Sequence, residues 1–260
     1  MELTWSAAGE RRGTVVLLHG MMSLAATWWR IGPALAGDGW DVTALDLAGH
    51  GDSPRLGGPL TADALVDGVT AQLTAPVDLL VGHSMGAATA ASTVVRHPGL
   101  ARAVVLEDPP GGPRRTTTEA FAHGIELDAE MARTDRDRLV RRSRAKNPTW
   151  ADEDVEQDVR GIEAADAVAV AAGVRAGLRG WDLPALVAAA KVPVLVLAAR
   201  DTLGDSDDEP NSALTGEARA GVRAALPADR FVELPGGHCL HRNLPDRWLA
   251  AVHAFADQVL

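Results

Sequence analysis

The 260-residue chain has one cysteine, no tyrosine and only three phenylalanines. With Cys239 alone, an internal disulfide and a cysteine-built structural zinc site are excluded, and a reducing compartment costs the fold nothing. An excess of positive charge is also missing. Lys and Arg total 25 against 35 Asp and Glu, a formal net charge of −10, which removes the electrostatic ground for binding nucleic acid or an anionic membrane surface. No apolar run approaches the roughly 18 residues that span a bilayer, and residues 1–5 lack both the basic and the apolar stretch of an export signal. These absences predict a cytoplasmic protein with neither nucleic acid nor membrane as partner. What is present, 47% hydrophobic and 23% charged residues, suffices for a sizeable core in one α/β domain with a subdomain.

From residue 12 to residue 106, short β-branched or leucine-rich runs alternate with segments of helical period, the pattern of a mostly parallel sheet with helices on its faces. The spacing predicts buried strands over 15–18, 42–45, 77–81 and 103–106, joined later by 193–199 and 230–234. Thr61 is placed to cap a helix carrying Leu65, Val69 and Leu73, and an alanine-rich helix runs from Ser84 to Arg96, stopping before Pro98. Trp248, Val252, Phe255 and Val259 give a final helix one apolar face. Between Pro109 and about Ala190 no strand-like run occurs and the residues suit helices. Pro109-Pro110-Gly111-Gly112-Pro113 makes the entrance a rigid, non-helical linker, and Trp181-Asp182-Leu183-Pro184 marks the return. The expected organisation is a core of residues 1–110 and 182–260 with a helical cap, residues 111–181, inserted into it.

Gly82-His83-Ser84-Met85-Gly86 fits the pattern G-x-S-x-G between a readable strand and a readable helix. In that context the chain turns sharply, lifts the serine hydroxyl off the carboxyl edge of the sheet, and needs small residues at 82 and 86 because the backbones come too close for larger ones. Leu18-His19-Gly20-Met21-Met22 follows the first strand, so the N–H groups of Met21 and Met85 are candidates to hold an oxyanion formed by attack of Ser84. His19 itself is expected to be structural, bonded to nearby backbone.

His19-Gly20, the segment from Asp46 to Ser53, the turn at Ser84 and the late Gly236-Gly237-His238 together resemble the α/β-hydrolase superfamily over the whole chain. The resemblance implies the α/β-hydrolase fold and a helical cap inserted where the strand pattern breaks. It also implies the chain order serine, acid, histidine, which makes His238 the base; His241 is a rival expected to pack near the entrance of the last helix. Cys239, beside the base but on no such turn, reads as a small buried side chain. Two acids are open. Asp201 lies in the loop most of the superfamily uses, but the usual spacing puts Thr202 at the expected position. Asp108 ends the strand after the nucleophile helix and aligns without gaps on the acid of the branch resembling haloalkane dehalogenases and zearalenone-type lactonases. Asp108 is preferred, with Glu107 facing the other side of its strand.

The resemblance implies that the cap's inner face selects the substrate. Met22, Trp150 and Trp181 are expected to line a mostly apolar pocket, and the lack of tyrosine argues against an aromatic cage. Arg133 to Lys146 is a basic run in an acidic chain. It reads first as a solvated cap helix; the sharper reading is a docking face for an acyl carrier protein. The implied activity is hydrolysis of a small or medium apolar carboxylic ester, lactone or thioester through an acyl-enzyme on Ser84, with no metal or organic cofactor. A diketone C–C bond is open to the same triad. The alternatives are a non-hydrolytic lyase or cyclase using His238 as base, and a ligand-binding protein of this fold with little turnover.

Overall fold

The computed structural model describes residues 2–112, 117–178, 180–200 and 212–260. Asp201, the alternative acid, and Pro113 of the proline-glycine linker lie outside them. Seven strands form one sheet: β1 (Glu2–Trp5), β2 (Gly13–Leu18), β3 (Trp40–Leu45), β4 (Val77–His83), β5 (Ala101–Glu107), β6 (Val194–Ala199) and β7 (Phe231–Leu234). Their order across the sheet is β1-β3-β2-β4-β5-β6-β7. All neighbours are parallel except β1, which runs antiparallel to β3. The helices are α1 (Ile31–Gly37), α2 (Ala62–Gln72), α3 (Met85–Arg96), α4 (Thr118–Thr134), α5 (Arg136–Lys146), α6 (Asp152–Ala164), α7 (Ala167–Arg175), α8 (Leu183–Ala189), α9 (Gly216–Ala224), α10 (Leu240–Asn243) and α11 (Pro245–Val259). None among the described residues is long and apolar enough to cross a membrane.

Strand β1 escapes the sequence pattern. It is a four-residue edge strand with alternating exposure, too short to show a period. It is held by pairing with β3 and by the Trp5 ring, which packs so closely on Gly32 that a Cβ there would lie 2.4 Å from it.

The central strands are buried on both sides, and alternate residues feed two cores. Val16, Leu18, Leu80, Val104, Leu106 and Val196 face α2, α3, α7 and α8, while Leu17, Leu79, Val81, Val105, Leu195 and Leu197 face Trp28, Trp248 and Phe255. Helix α3 is alanine-rich because it is buried almost throughout. Two of its three hydroxyls are satisfied by back-bonding, Thr89 Oγ1 to Met85 O (2.8 Å) and Ser92 Oγ to Ala88 O (2.8 Å). Thr61 caps α2 by accepting from Ala64 N–H (3.1 Å), and Asp182 caps α8 with Pro184 in its first turn.

Helices α4 to α7 lie between β5 and β6 in the chain and are bound to one another by charge. Arg175 forks onto Glu119 and also bonds Glu126, joining α7 to α4; Arg136 joins α5 to Glu156 and Glu163 of α6. The linker before them is tied down: Gly111 N–H donates to Ala213 O (2.8 Å) and Thr215 N–H to Gly111 O (2.8 Å).

Candidate active site

Parallel β4 and β5 end side by side, with Gly82 opposite Leu106 and His83 opposite Glu107. The next residue of each strand departs from regular backbone: Ser84 has φ 53° and Asp108 φ 38°. Left-handed backbone at a non-glycine residue costs about 1–3 kcal/mol and persists only where the surroundings impose it. They do so here. Ser84 N–H donates to Glu107 O (2.8 Å) and Asp108 N–H to Leu197 O (2.7 Å), so each kink is stitched to the adjacent strand. A Cβ on Gly82 would lie 2.2 Å from Gly86 O, and one on Gly86 2.5 Å from both Leu18 O and His19 O. The turn at Ser84 is therefore closed to any larger residue at either glycine.

Asp108 is fully buried. Its Oδ1 accepts from Ala199 N–H (3.0 Å) and Ser212 Oγ (2.6 Å), and its Oδ2 from Ala213 N–H (2.7 Å) and His238 Nδ1 (2.6 Å). Because the carboxylate can only accept, His238 carries a proton on Nδ1, and Nε2 takes no part in that bond. The His238 side chain is 38% exposed, its ring 4.7 Å from that of His83, and His83 Nε2–H donates to the His238 carbonyl (3.2 Å). The structure thus brings Ser84, Asp108 and the His238 loop to one sheet edge.

The loop with Met21 and Met22 is set by two buried imidazoles. His19 donates from Nδ1 to Gly20 O (2.7 Å) and accepts from Leu47 N–H at Nε2 (3.0 Å); His50 donates to Ala48 O (2.9 Å) and accepts from Met22 N–H (3.1 Å). Burial lowers His19 to about 3 and His50 to about 4, so both are neutral and structural. The Met22 amide is committed to His50 and its residue has φ 57°, leaving Met21 as the loop's candidate oxyanion donor. Met85 begins α3 and is buried in the core against which Met21 packs.

One cluster near the site is not readable from the sequence. Glu107 does face the opposite side from Asp108, and there Oε1 accepts from His241 N–H (3.0 Å) and Nδ1–H (2.8 Å), and Oε2 from Trp248 Nε1–H (3.0 Å). Burial raises the Glu107 carboxyl and holds His83 and His241 well below the ordinary imidazole range. The ligating atoms of His83, Glu107 and His241 lie within 4.8 Å of one another, but Glu107 and His241 already bond each other and His83 Nε2 is committed to the His238 carbonyl. The group reads as a brace for the His238 loop. Cys239 is half-buried rather than buried outright, and desolvation pushes its thiol up to about 12.

The expected pocket residues divide. Met22 and Trp181 pack at the edge of the core that contains Met85. Trp150 is instead buried under Arg242, whose guanidinium sits 4.3 Å above its ring while bonding Thr27 (2.6 Å), so packing accounts for that side chain. Of the basic run, Arg136, Arg142 and Arg144 pair with acids of this chain, and Arg138 and Arg141 are exposed.

The sequence pattern of the alpha/beta hydrolase family matches residues 15–252. The chain belongs to the alpha/beta hydrolase family. Among relatives of this hydrolase is the pimeloyl-[acyl-carrier protein] methyl ester esterase of Neisseria meningitidis serogroup B, 35% identical over 115 residues, which are 44% of this chain and 43% of that protein. A lipase of Mycobacterium tuberculosis is 36% identical over 98 residues, 36% of each chain. The chain thus matches less than half the length of these relatives. Two solved structures share the fold: an N-formylmaleamic acid deformylase from Pseudomonas putida (TM-score 0.72, 21% identity, 96% of this chain and 94% of that one) and the enol-lactonase from Burkholderia xenovorans (TM-score 0.71, 22% identity, 99% and 96%).

Proposed function

We propose that this alpha/beta hydrolase cleaves small or medium apolar carboxylic esters, lactones or thioesters through an acyl-enzyme on Ser84. The observation that carries the reading is the Asp108–His238 pair, joined at 2.6 Å and set at the edge where Ser84 leaves the sheet with φ 53°. In this reading Ser84 Oγ attacks the carbonyl carbon as its proton passes to His238 Nε2. The amides of Met21 and Met85 hold the oxyanion, and Asp108 stays ionised to stabilise the imidazolium. His238 then gives the proton to the departing oxygen or sulfur. A water, deprotonated by His238, releases the acid and restores Ser84. Helices α4 to α7, within residues 111–181, act as the cap. Gly161 of α6 lies so close to Met22 O that a Cβ would sit 2.6 Å away, which supports a cap seated on the oxyanion loop.

The test is kcat and kcat/KM on graded p-nitrophenyl esters, lactones and acyl-pantetheine thioesters for the wild type, Asp108→Asn and Asp201→Asn. The expected result is a loss of about 10⁴-fold in kcat for Asp108→Asn and little change for Asp201→Asn. The reverse order would move the acid to Asp201.

A finer reading places the acyl group on a carrier protein. The exposed Arg138 and Arg141 on α5 support it, as does the relative whose name specifies a carrier-bound ester. Charge reversal at both should erase any preference for a carrier-bound over a pantetheine-bound acyl group. An unchanged preference would contradict it.

A further inference from the structure

Ser212, the first described residue beyond the segment that follows β6, donates its hydroxyl to Asp108. An ionised carboxylate offers about four acceptor directions. All four of Asp108 are taken: two by the backbone of Ala199 and Ala213, one by His238 and one by Ser212.

The Ser212 hydroxyl has one proton and two lone pairs. Leu214 N–H donates to its oxygen (3.1 Å), and Arg219 Nη1, whose two N–H groups are shared with the Ala199 and Leu214 carbonyls (3.1 Å each), lies 3.3 Å from it. Its proton then has two acceptors in range, Asp108 Oδ1 at 2.6 Å and the Leu214 carbonyl at 3.0 Å. The carbonyl is also approached by Arg219 Nη1 at 3.1 Å, and the carboxylate is both nearer and charged, so the proton goes to Asp108. Arg219 is itself 7% exposed and immobilised by the Ala199 carbonyl (3.1 Å), an ion pair with Glu233 and the Phe231 ring. Its charge therefore sits one hydroxyl behind the carboxylate.

We propose that Ser212, oriented by Arg219, is a positioning residue that holds the Asp108 carboxylate with its Oδ2 aimed at His238. The proposal rests on the assignment of Asp108 and His238 above. Without the hydroxyl, Oδ1 keeps only the Ala199 amide, and the buried carboxylate is left under-bonded and able to turn about χ2.

The test reads His238 directly, by the downfield ¹H resonance of its Nδ1–H in ¹⁵N-histidine-labelled protein. The samples are wild type, Ser212→Ala, Ser212→Thr, Arg219→Met and, as reference, Asp108→Asn, each checked for folding by its thermal melt. In the folded Ser212→Ala and Arg219→Met variants the resonance should move upfield or vanish. Phosphonylation of Ser84 should slow about 10- to 100-fold in Ser212→Ala, the loss expected for one hydrogen bond to a buried charge, and Ser212→Thr should restore both. A wild-type resonance in Ser212→Ala and Arg219→Met, with Asp108→Asn lacking it, would overturn the proposal. A resonance that moves as expected beside a Ser84 that never reacts would support the positioning of Asp108 and count against the serine-hydrolase reading.

Discussion

At the scale of single residues, the carboxyl edge of the sheet carries two adjacent carboxylates with opposite partners. Asp108 holds His238 at the edge, and Glu107 holds His241 and Trp248 inside the fold. Every named partner of Glu107 is a donor, so Glu107→Gln would turn an amide N–H₂ onto one of them. The expected cost is about 1–3 kcal/mol, read as a lower urea midpoint, together with slower reaction at Ser84 because the His238 loop loses its brace. A variant as stable and as reactive as the wild type would show that the cluster is mere filling. Ser84, Asp108 and His238 are legible in the sequence because the sharp turn, a strand-end acid and a glycine-flanked histidine leave local marks. Ser212 and His241 leave none. Their roles depend on partners 104 and 134 positions away, and nothing in their neighbours announces the meeting.

At the scale of elements, α6 decides how the inserted helices meet the core. Asp154 accepts from Trp29 Nε1–H (2.9 Å), Asp158 from Arg242 (3.4 Å), and Gly161 rests on the loop of Met22 and Ser23. Gly161→Ala pits two effects against each other. Alanine gains about 1 kcal/mol of helix propensity, but a Cβ 2.6 Å from Met22 O must push α6 or the loop aside, an overpacking cost of about 1–3 kcal/mol. The melting temperature should fall, and phosphonylation of Ser84 should slow as the Met21 amide shifts. A raised melting temperature with unchanged reactivity would mean that the contact is slack. The helical insertion is legible from the break in the strand pattern, and α2, α3 and α11 from their apolar faces. Strand β1 is not, since its pairing with β3 and the Trp5–Gly32 contact are tertiary facts. Nor does the basic run show by itself that its arginines face acids on α4 and α6.

At the scale of the whole molecule, the fold buries four imidazoles in neutral form: His19, His50, His83 and His241. Their folded-state values lie below the ordinary 6.5, so below that pH the unfolded chain binds more protons and stability falls with falling pH. The loss runs from about pH 6.5 down through about 4 for His50 and about 3 for His19. At about pH 5, His19 and His50 each contribute a loss of about 2 kcal/mol, and His83 and His241 act in the same direction. Glu107, raised by burial, acts in the opposite sense but is a single group. Urea midpoints at pH 7 and pH 5 should therefore differ clearly, with the lower value at pH 5; equal midpoints would mean that these histidines are not buried neutral.

The proposed function requires that the fold activate Ser84 for acyl transfer. The measurement that tests it most directly is the intact mass of wild type and Ser84→Ala after brief exposure to an alkyl fluorophosphonate. A single adduct is expected on the wild type and none on folded Ser84→Ala. A folded wild type that gains no mass, or an adduct that persists without Ser84, would contradict it.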